Sequence, residues 1–154
     1  MKALLQRVTR ASVSVAGEIV GRIQTGLVVL VGVAAGDEEA DAAYLADRVL
    51  NLRIFSDEDG RFNLSVLDVT GELLLVSQFT LLASTRKGRR PGFDGAAPPG
   101  KASALLDRIV ALLRQSGLKV ETGRFQQHMV VEIYNDGPVT IMLDSKERFL
   151  PRNG

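Results

Sequence analysis

The stretch Gly26-Leu27-Val28-Val29-Leu30-Val31-Gly32 is a continuous apolar run that begins and ends with glycine. A short apolar run of this kind, rich in β-branched residues and bounded by glycines, is typical of a fully buried strand. Just before it, a hairpin is indicated by apolar residues that alternate around Ala16-Gly17, namely Val13, Val15, Ile19 and Ile23. The first part of the chain therefore predicts a β-sheet that contains one fully buried strand.

Two helices are predicted by apolar residues at helical spacing. The first follows Asp37-Glu38-Glu39, which supplies a cap and an acidic first turn, and its apolar face contains Ala42, Leu45, Val49 and Leu52. The second covers about residues 101–115 and ends before Gly117, with an apolar face of Ala102, Leu106, Ile109 and Leu113. Further strands are predicted at residues 73–78, near Val120, at 129–134 and at 139–143. These elements predict one α+β domain in which mostly antiparallel strands form a curved or barrel-like sheet with two covering helices.

The composition of the 154 residues excludes several classes of protein. The absence of cysteine excludes disulfides, thiolate zinc sites and cysteine nucleophiles, and a single histidine disfavours a bound transition metal. No apolar run reaches the roughly 18–20 residues of a membrane span, and the N-terminal residues alternate like a strand rather than a signal peptide. We therefore expect a cytoplasmic protein without a membrane partner, a metal or a cofactor.

The net charge of +1 gives no general sign of a nucleic-acid-binding protein, so any RNA contact must depend on a local patch. One such patch is Thr85-Arg86-Lys87-Gly88-Arg89-Arg90-Pro91, whose four cations are Arg86, Lys87, Arg89 and Arg90. The patch lies in residues 84–100, a segment rich in Gly, Pro and Arg, and loops of that length are usually functional or disordered. Both a solvated basic loop and an RNA contact remain open.

Two short polar segments stand at the ends of predicted strands, where a rigid scaffold can present them to a ligand. Ser77-Gln78-Phe79-Thr80 follows an apolar run, and Asn135-Asp136-Gly137-Pro138-Val139-Thr140 separates two strand-like runs. Proline donates no N–H and suits only strand edges, strand starts and turns. On the residues alone, the first segment is consistent with local hydrogen bonding and the second with an ordinary hairpin turn.

The sequence contains little equipment for general-base catalysis. A serine triad needs a histidine, and the sole candidate is His128, which follows Gln126-Gln127 just before a strand and is interpreted as a surface or strand-edge residue. Without a base, the hydroxyls of Ser77 and Thr80 are poor nucleophiles at neutral pH. The chemistry on offer is therefore that of hydroxyls, amides and backbone groups.

Together the two polar segments resemble the signature of the D-aminoacyl-tRNA deacylases, which remove D-amino acids from tRNA. The resemblance extends from Met1-Lys2-Ala3-Leu4 to about Leu143, and it implies a deacylase domain at residues 1–144 followed by a loosely ordered tail at 145–154. It further implies that one group of residues lines the pocket for the aminoacylated 3′ end of tRNA: Ser77, Gln78, Phe79 and Thr80. Backbone N–H groups and the Gln78 amide there are donors suited to a carbonyl that becomes an oxyanion.

In that family the Gly-Pro step is cis and inserts into the active site of a second subunit, so the resemblance also implies a homodimer. The carbonyls around Gly137 and Pro138 would accept hydrogen bonds from the substrate ammonium and leave no room for the side chain of an L-residue, while glycine would pass. The resemblance places Asn135 in the same substrate-binding group, with Arg7 orienting the turn and Met129 packing against it. Small residues are typical of the family where this chain has Gln126 and Gln127.

The predicted function is hydrolysis of the ester between a D-aminoacyl group and tRNA by a homodimer. The neighbouring ribose hydroxyl of the terminal adenosine is expected to assist the attacking water, while the protein positions the ester. Two alternatives remain. Thr80 is a candidate nucleophile for the same substrate, and the cations of residues 86–90 are consistent with an RNA-binding homodimer that has no catalytic activity.

Overall fold

The computed structural model describes residues 1–152, and its main feature is a six-stranded sheet that curls into a nearly closed barrel. The elements, in chain order, are β1 Lys2–Val15, β2 Glu18–Ile23, β3 Gly26–Gly32, α1 Glu39–Asn51, β4 Phe55–Ser56, β5 Phe62–Leu64, β6 Glu72–Ser77, a 3-10 helix at Phe79–Leu82, α2 Pro99–Arg114, β7 Val120–Thr122, β8 Val130–Asp144 and a 3-10 helix at Ser145–Phe149. Strands β4 and β5 form a separate two-stranded sheet. The predicted α+β class is confirmed.

The sheet combines antiparallel and parallel pairs. Its strand order is β2-β1-β3-β6-β7, and β8 stands outside this order as a further partner of β1. Strand β2 pairs with residues 11–15 of β1 and β3 with residues 2–8, whereas β8 pairs with β1 along residues 2–14. Strand β1 is antiparallel to β2, β3 and β8, whereas β3 with β6 and β6 with β7 are parallel. Parallel neighbours need a crossover, which α1 supplies between β3 and β6 and α2 between β6 and β7. The barrel curls round until the start of β7 meets β2, where the Lys119 ammonium donates to the Arg22 carbonyl at 3.1 Å.

Strand β3 is buried on both faces, as its apolar run predicts. Leu27, Val29 and Val31 pack toward the two helices, while Val28 belongs to the second core inside the barrel. The helices contribute the apolar faces expected from their spacing; their buried residues there are Ala42, Leu45, Val49, Leu106, Ile109 and Leu113. Among residues 1–152, no helix is long and apolar enough to cross a membrane.

The two strand-like runs near the C-terminus form one strand, β8, rather than two. Both halves pair antiparallel with β1, and the register passes from Val8–Asn135 to Gln6–Thr140. Residues 136–139 therefore stand opposite the single residue Arg7 and bulge out of the strand. The hairpin interpretation of Gly137-Pro138 is wrong, because the chain continues in the same direction after the turn.

The segment expected to be a loosely ordered tail begins with the 3-10 helix Ser145–Phe149, which packs against α1. Ser145 is fully buried and its hydroxyl donates to Oδ1 of Asp41 at 2.6 Å, while the Arg148 guanidinium binds the same carboxylate. The structure differs from the expectation at these residues because Asp41 is buried under the tail and holds it by hydrogen bonds. Residues 153–154 of the expected tail lie outside the described residues.

Replacing Asp41 is expected to weaken the fold in a pH-dependent way. Burial alone would raise the pKa of Asp41, but hydrogen bonds from Ser145, the Glu38 N–H and Arg148 lower this pKa from 3.8 to about 2. Because the pKa in the folded state lies below that in the unfolded state, the carboxylate stabilises the fold above about pH 4. That stabilisation is lost as the pH falls toward 2. A shift of this size corresponds to about 2 kcal/mol.

We therefore expect Asp41→Asn to lower the free energy of unfolding by about 2 kcal/mol at pH 7 and by much less at pH 2, as measured by urea denaturation. The matched control is Glu39→Gln on the same helix, which breaks only an exposed ion pair with Arg108. If the two variants have the same stability at both pH values, the role assigned to Asp41 is wrong.

Candidate active site

A cavity of about 560 Å³ opens between the end of β6, the first turn of α2 and the segment that precedes β8. Ser77, Gln78 and Phe79 line one side of it. The opposite side and the apolar floor consist of Phe125, Gln126, Gln127, His128, Met129, Val31, Val33, Val76, Ala96, Ala97, Pro99, Ala102, Leu106 and Val131. The cavity thus combines an apolar interior with a few polar groups at its mouth, which is the usual character of a small-molecule site.

The polar segment after β6 is positioned by strand pairing and by a close approach to β3. The Gln78 N–H donates to the Val31 carbonyl at 2.7 Å, which extends the parallel pair by one residue before the 3-10 helix begins. A Cβ atom on Gly32 would lie 2.3 Å from Cδ2 of Leu82 and 2.9 Å from the Gln78 carbonyl oxygen. Because only glycine fits there, the 3-10 helix can pack directly on the end of β3.

The Thr80 hydroxyl takes part in a local hydrogen bond. The Gln78 side-chain amide donates to the Thr80 hydroxyl, and Thr80 itself does not line the cavity. Among residues 1–152, neither Ser77 nor Thr80 has a side-chain hydrogen bond to a histidine or a carboxylate. The N–H groups of Phe79 and Thr80 begin the 3-10 helix, where N–H groups have no partner within the helix. The segment therefore offers oriented donors rather than an activated nucleophile.

The Gly137-Pro138 segment forms a second cluster that the structure does not bring to the cavity of the same chain. Nε of Arg7 donates to the Asp136 carbonyl at 3.3 Å, and its Nη1 donates to the Ile54 carbonyl at 2.8 Å. The Asn135 amide closes the base of the bulge by donating to the Arg7 and Val139 carbonyls, each at 3.0 Å. The loop formed by residues 136–138 thus stands out from β8 on a fixed base.

Glycine is required within this loop. Gly137 has φ +119°, and a Cβ atom there would lie 2.8 Å from Cγ2 of Val139 and 3.1 Å from Nη2 of Arg7. The peptide bond between Gly137 and Pro138 is cis. Both residues are exposed, so their carbonyls and the proline ring are presented to the surroundings.

Met129 belongs to the cavity wall and is held by the end of β7. Its sulfur accepts a hydrogen bond from the Arg124 N–H at 3.3 Å, and it packs so closely on Gly123 that a Cβ there would lie 2.5 Å from it. Packing of Met129 against a Gly137-Pro138 turn stays a prediction.

The basic loop, defined here as residues 86–90, follows the 3-10 helix Phe79–Leu82 in the chain. Its cations are all exposed, and none of them forms an ion pair within the described part of the chain. Paired hydrogen bonds of 2.8 Å between Ser84 and Gly92 close the loop. The rings of Phe79 and Phe93 meet edge to face with centroids 5.0 Å apart, which ties the base of the loop to the cavity rim.

Several cavity residues carry no signal in the sequence. Ala96 and Ala97 come from the long segment between the basic loop and α2, and they reach the cavity because the Ala97 N–H donates to the Val33 carbonyl at 2.9 Å. Small residues in a loop have no periodicity that would reveal this. In the sequence, Gln126 stands out only because it departs from the family pattern. Its φ of +62° is a conformation that non-glycine residues rarely adopt.

Comparison with known proteins gives consistent results. Residues 4–144 match the family model described as "D-Tyr-tRNA(Tyr) deacylase". A curated "D-aminoacyl-tRNA deacylase" of Dehalococcoides mccartyi is 59% identical over 152 residues, covering 99% of each chain. Another with the same description, from Thermotoga petrophila, is 57% identical over 149 residues, covering 97% of this chain and 100% of the relative.

Two solved structures share the fold. One is described as "c-Myc DNA Unwinding Element Binding Protein" and superposes with a TM-score of 0.88 at 42% identity, covering 94% of this chain and 98% of that one. The other is described as a "probable eukaryotic D-amino acid tRNA deacylase", with a TM-score of 0.81 at 18% identity, covering 92% and 97%.

Proposed function

Since the chain belongs to the D-Tyr-tRNA(Tyr) deacylase family, we propose that it hydrolyses the ester between a D-amino acid and the 3′ end of tRNA. The observation that carries this proposal is the cavity at the end of β6, where Ser77, Gln78 and Phe79 face an apolar interior. The enzyme is a hydrolase, and its family residues at 77–80 lie at or beside this cavity.

The segment 77–80 would bind the ester carbonyl. Its free N–H groups and the Gln78 amide are donors that strengthen their bonds as the carbonyl oxygen becomes negative in the tetrahedral intermediate. The neighbouring hydroxyl of the terminal ribose would assist the water that attacks the ester, because it is a polar group beside the reacting carbon. Gln78 also holds the Thr80 hydroxyl, which favours a supporting role for Thr80 over a nucleophilic one.

Chiral selection would come from a second copy of the chain. The loop at residues 136–138 protrudes, is fixed by Arg7 and Asn135, and does not line the cavity of its own chain. A loop held in this way is suited to insert into the cavity of a partner across a two-fold interface. Carbonyls around Gly137 and Pro138 would bind the substrate ammonium and exclude an L side chain, whereas glycine has none to exclude.

The test of this function compares the rates at which the purified protein hydrolyses D-tyrosyl-tRNA, L-tyrosyl-tRNA and glycyl-tRNA. Rapid release from the D-ester and the glycyl ester with little from the L-ester is the expected result. Binding of tRNA without hydrolysis of any of the three esters would favour the RNA-binding homodimer that has no catalytic activity.

Neutralising the basic loop is expected to weaken tRNA binding. All four cations of the loop are exposed and its base meets the cavity rim through Phe93 and Phe79, so we propose that Arg86, Lys87, Arg89 and Arg90 contact phosphates. Replacing Arg86 and Lys87 with alanine should raise the KM for tRNA and lower the slope of log K against log salt by about one unit for each phosphate that is no longer neutralised. The preference for D- over L-esters should not change, since residues 86–90 do not line the cavity.

The matched control for this variant removes the same charge elsewhere, by replacing the exposed residues Arg61 and Lys146 with alanine. Equal KM values and salt slopes for the two double variants would mean that the basic loop is only a solvated surface.

A further inference from the structure

A second groove, of about 310 Å³, lies beside the candidate active site, between one face of α2 and the end of β7. The two cavities share Ser77, Leu106 and Phe125, so Phe125 forms part of the partition between them. The remaining lining of the second groove is Leu75, Ser103, Asp107, Val110, Arg114, Thr122, Gly123 and Arg124. The two cavities are therefore adjacent, and a ligand that extends beyond the first would have to pass over Phe125 to reach the second.

The helical wall of the second groove is mostly polar. Ser103, Asp107, Val110 and Arg114 recur every three or four residues, so they lie along one face of α2. The adjacent face carries the buried Leu106 and Leu113, which already supply the core contact of this helix. The polar residues are thus not needed for packing and face the groove.

Two charged side chains of the groove are free to bind a ligand. Asp107 is exposed and forms no ion pair with any residue among 1–152. Arg124 is also exposed, and its guanidinium donates only to the neighbouring Gly123 carbonyl, at 3.4 Å, within the residues that the structure describes. Arg114, in contrast, is anchored by a hydrogen bond to the Val120 carbonyl at 3.2 Å. The groove therefore presents one unpaired carboxylate and one unpaired guanidinium on opposite walls.

We propose that the second groove binds the nucleotide immediately 5′ of the terminal adenosine of tRNA, which is a cytidine because tRNA ends in CCA. This inference rests on the proposed function, which puts the terminal aminoacyl-adenosine in the first cavity. The phosphate that links the two nucleotides pairs with Arg124, since guanidinium groups bind phosphate oxygens in pairs. The cytosine base stacks on the half-buried Phe125 ring, as unpaired bases do on aromatic side chains.

Asp107 supplies selectivity for the base. A carboxylate accepts a hydrogen bond from the N4 amino group of cytosine, whereas uracil presents an oxygen at that position and would be repelled. The amide of Asp107→Asn has both an oxygen that can accept from cytosine N4 and an NH₂ group that can donate to the uracil oxygen. Asp107→Asn is thus expected to remove the preference for cytosine over uracil rather than merely weaken binding.

The experiment uses D-tyrosyl esters of adenosine, of the dinucleotide CpA and of the dinucleotide UpA, and compares their kcat/KM values. For the wild-type protein, the added cytidine should raise kcat/KM roughly 10–100-fold over the adenosine ester, and CpA should exceed UpA by about tenfold or more. Arg124→Ala should remove most of the gain from CpA. Asp107→Asn should lower the ratio of CpA to UpA by about tenfold or more.

The matched control is Arg108→Ala, which removes an exposed charge from the neighbouring face of α2 and should keep the wild-type ratios. Hydrolysis of all three esters with equal efficiency would overturn the inference and leave the proposed function standing. An equal loss on all three esters in Asp107→Asn would assign the residue a structural role and would also overturn it. If no D-ester is hydrolysed, the inference falls with the function on which it rests.

Discussion

Replacing the ribose hydroxyl beside the ester with hydrogen is expected to slow hydrolysis of D-aminoacyl-tRNA by about 10⁴-fold, the scale at which a true catalytic group is lost. Thr80→Ala and Ser77→Ala are each expected to cost at most about 10²–10³-fold, the range for one supporting donor. The physical reason is that the Thr80 hydroxyl accepts from Gln78 and has no base beside it in the described structure. The substrate hydroxyl is then the best-placed group to assist the water.

The measurement is single-turnover deacylation of D-aminoacyl-tRNA by each variant, set beside wild-type turnover of the deoxy substrate. Ser56→Ala, which removes an exposed hydroxyl from β4, controls for the loss of a hydroxyl as such. His128→Asn belongs in the same series because His128 lines the cavity mouth. If His128 were a general base, its replacement would lower the deacylation rate roughly 10²–10⁴-fold, and we expect a smaller loss of rate. An inactive Thr80→Ala protein together with a fully reactive deoxy substrate would make Thr80 the nucleophile.

Substituting Gly137 is expected to lower the rate on D-esters by on the order of 10²–10³-fold, comparable to removing one hydrogen bond to the transition state. The new Cβ of Gly137→Ala would lie 2.8 Å from Val139 and 3.1 Å from the Arg7 guanidinium, at a φ of +119° that alanine does not tolerate. The loop would have to move, and its carbonyls would no longer meet the substrate ammonium.

Mixing two inactive variants tests whether the loop serves a partner. Ala97→Trp fills the cavity but leaves the loop intact, whereas Gly137→Ala leaves the cavity intact. In a mixed dimer, the intact cavity of one chain receives the intact loop of the other. With random exchange, activity should recover to about a quarter of the wild-type value, because half of the dimers are mixed and each has one complete site. Absence of recovery, or full activity in a monomer seen by light scattering, would exclude a shared site.

Periodicity explains which parts of the fold could be predicted from the sequence. The run 26–32 and the faces of α1 and α2 follow from residue spacing alone, and the structure confirms them. The continuity of β8 could not be predicted, because the residues of a wide bulge, Asp136-Gly137-Pro138, are also those of a hairpin turn. Asp41 belongs to the acidic first turn of α1, and such a turn is expected to be exposed. The sequence therefore does not predict its burial under the 3-10 helix at 145–149.

The candidate site likewise contains residues that the sequence predicted and residues that only the structure brings together. Residues 77–80 and 135–138 were recognised by their motifs, and the structure shows where each lies. In the second wall, Met129 was assigned to the site by the same resemblance. Residues 125–128 and the alanines at 96 and 97 reach the cavity only through tertiary contacts. The groove beside Asp107 exists because α2 lies next to the end of β7. No local sequence pattern in either segment predicts that arrangement.

The pairing of β1 with β8 also has a consequence for how the protein is made. Lys2 lies opposite Asp144, and β1 is synthesised well before β8. One edge of β1 therefore stays uncovered until β8 has been made. Until then the nascent chain exposes an unpaired edge, a surface prone to pairing with other chains. Contacts between residues so far apart in sequence also make folding slow. We therefore expect the barrel to complete only after β8 has left the ribosome, and we expect chaperones that cover strand edges to raise the yield of native protein.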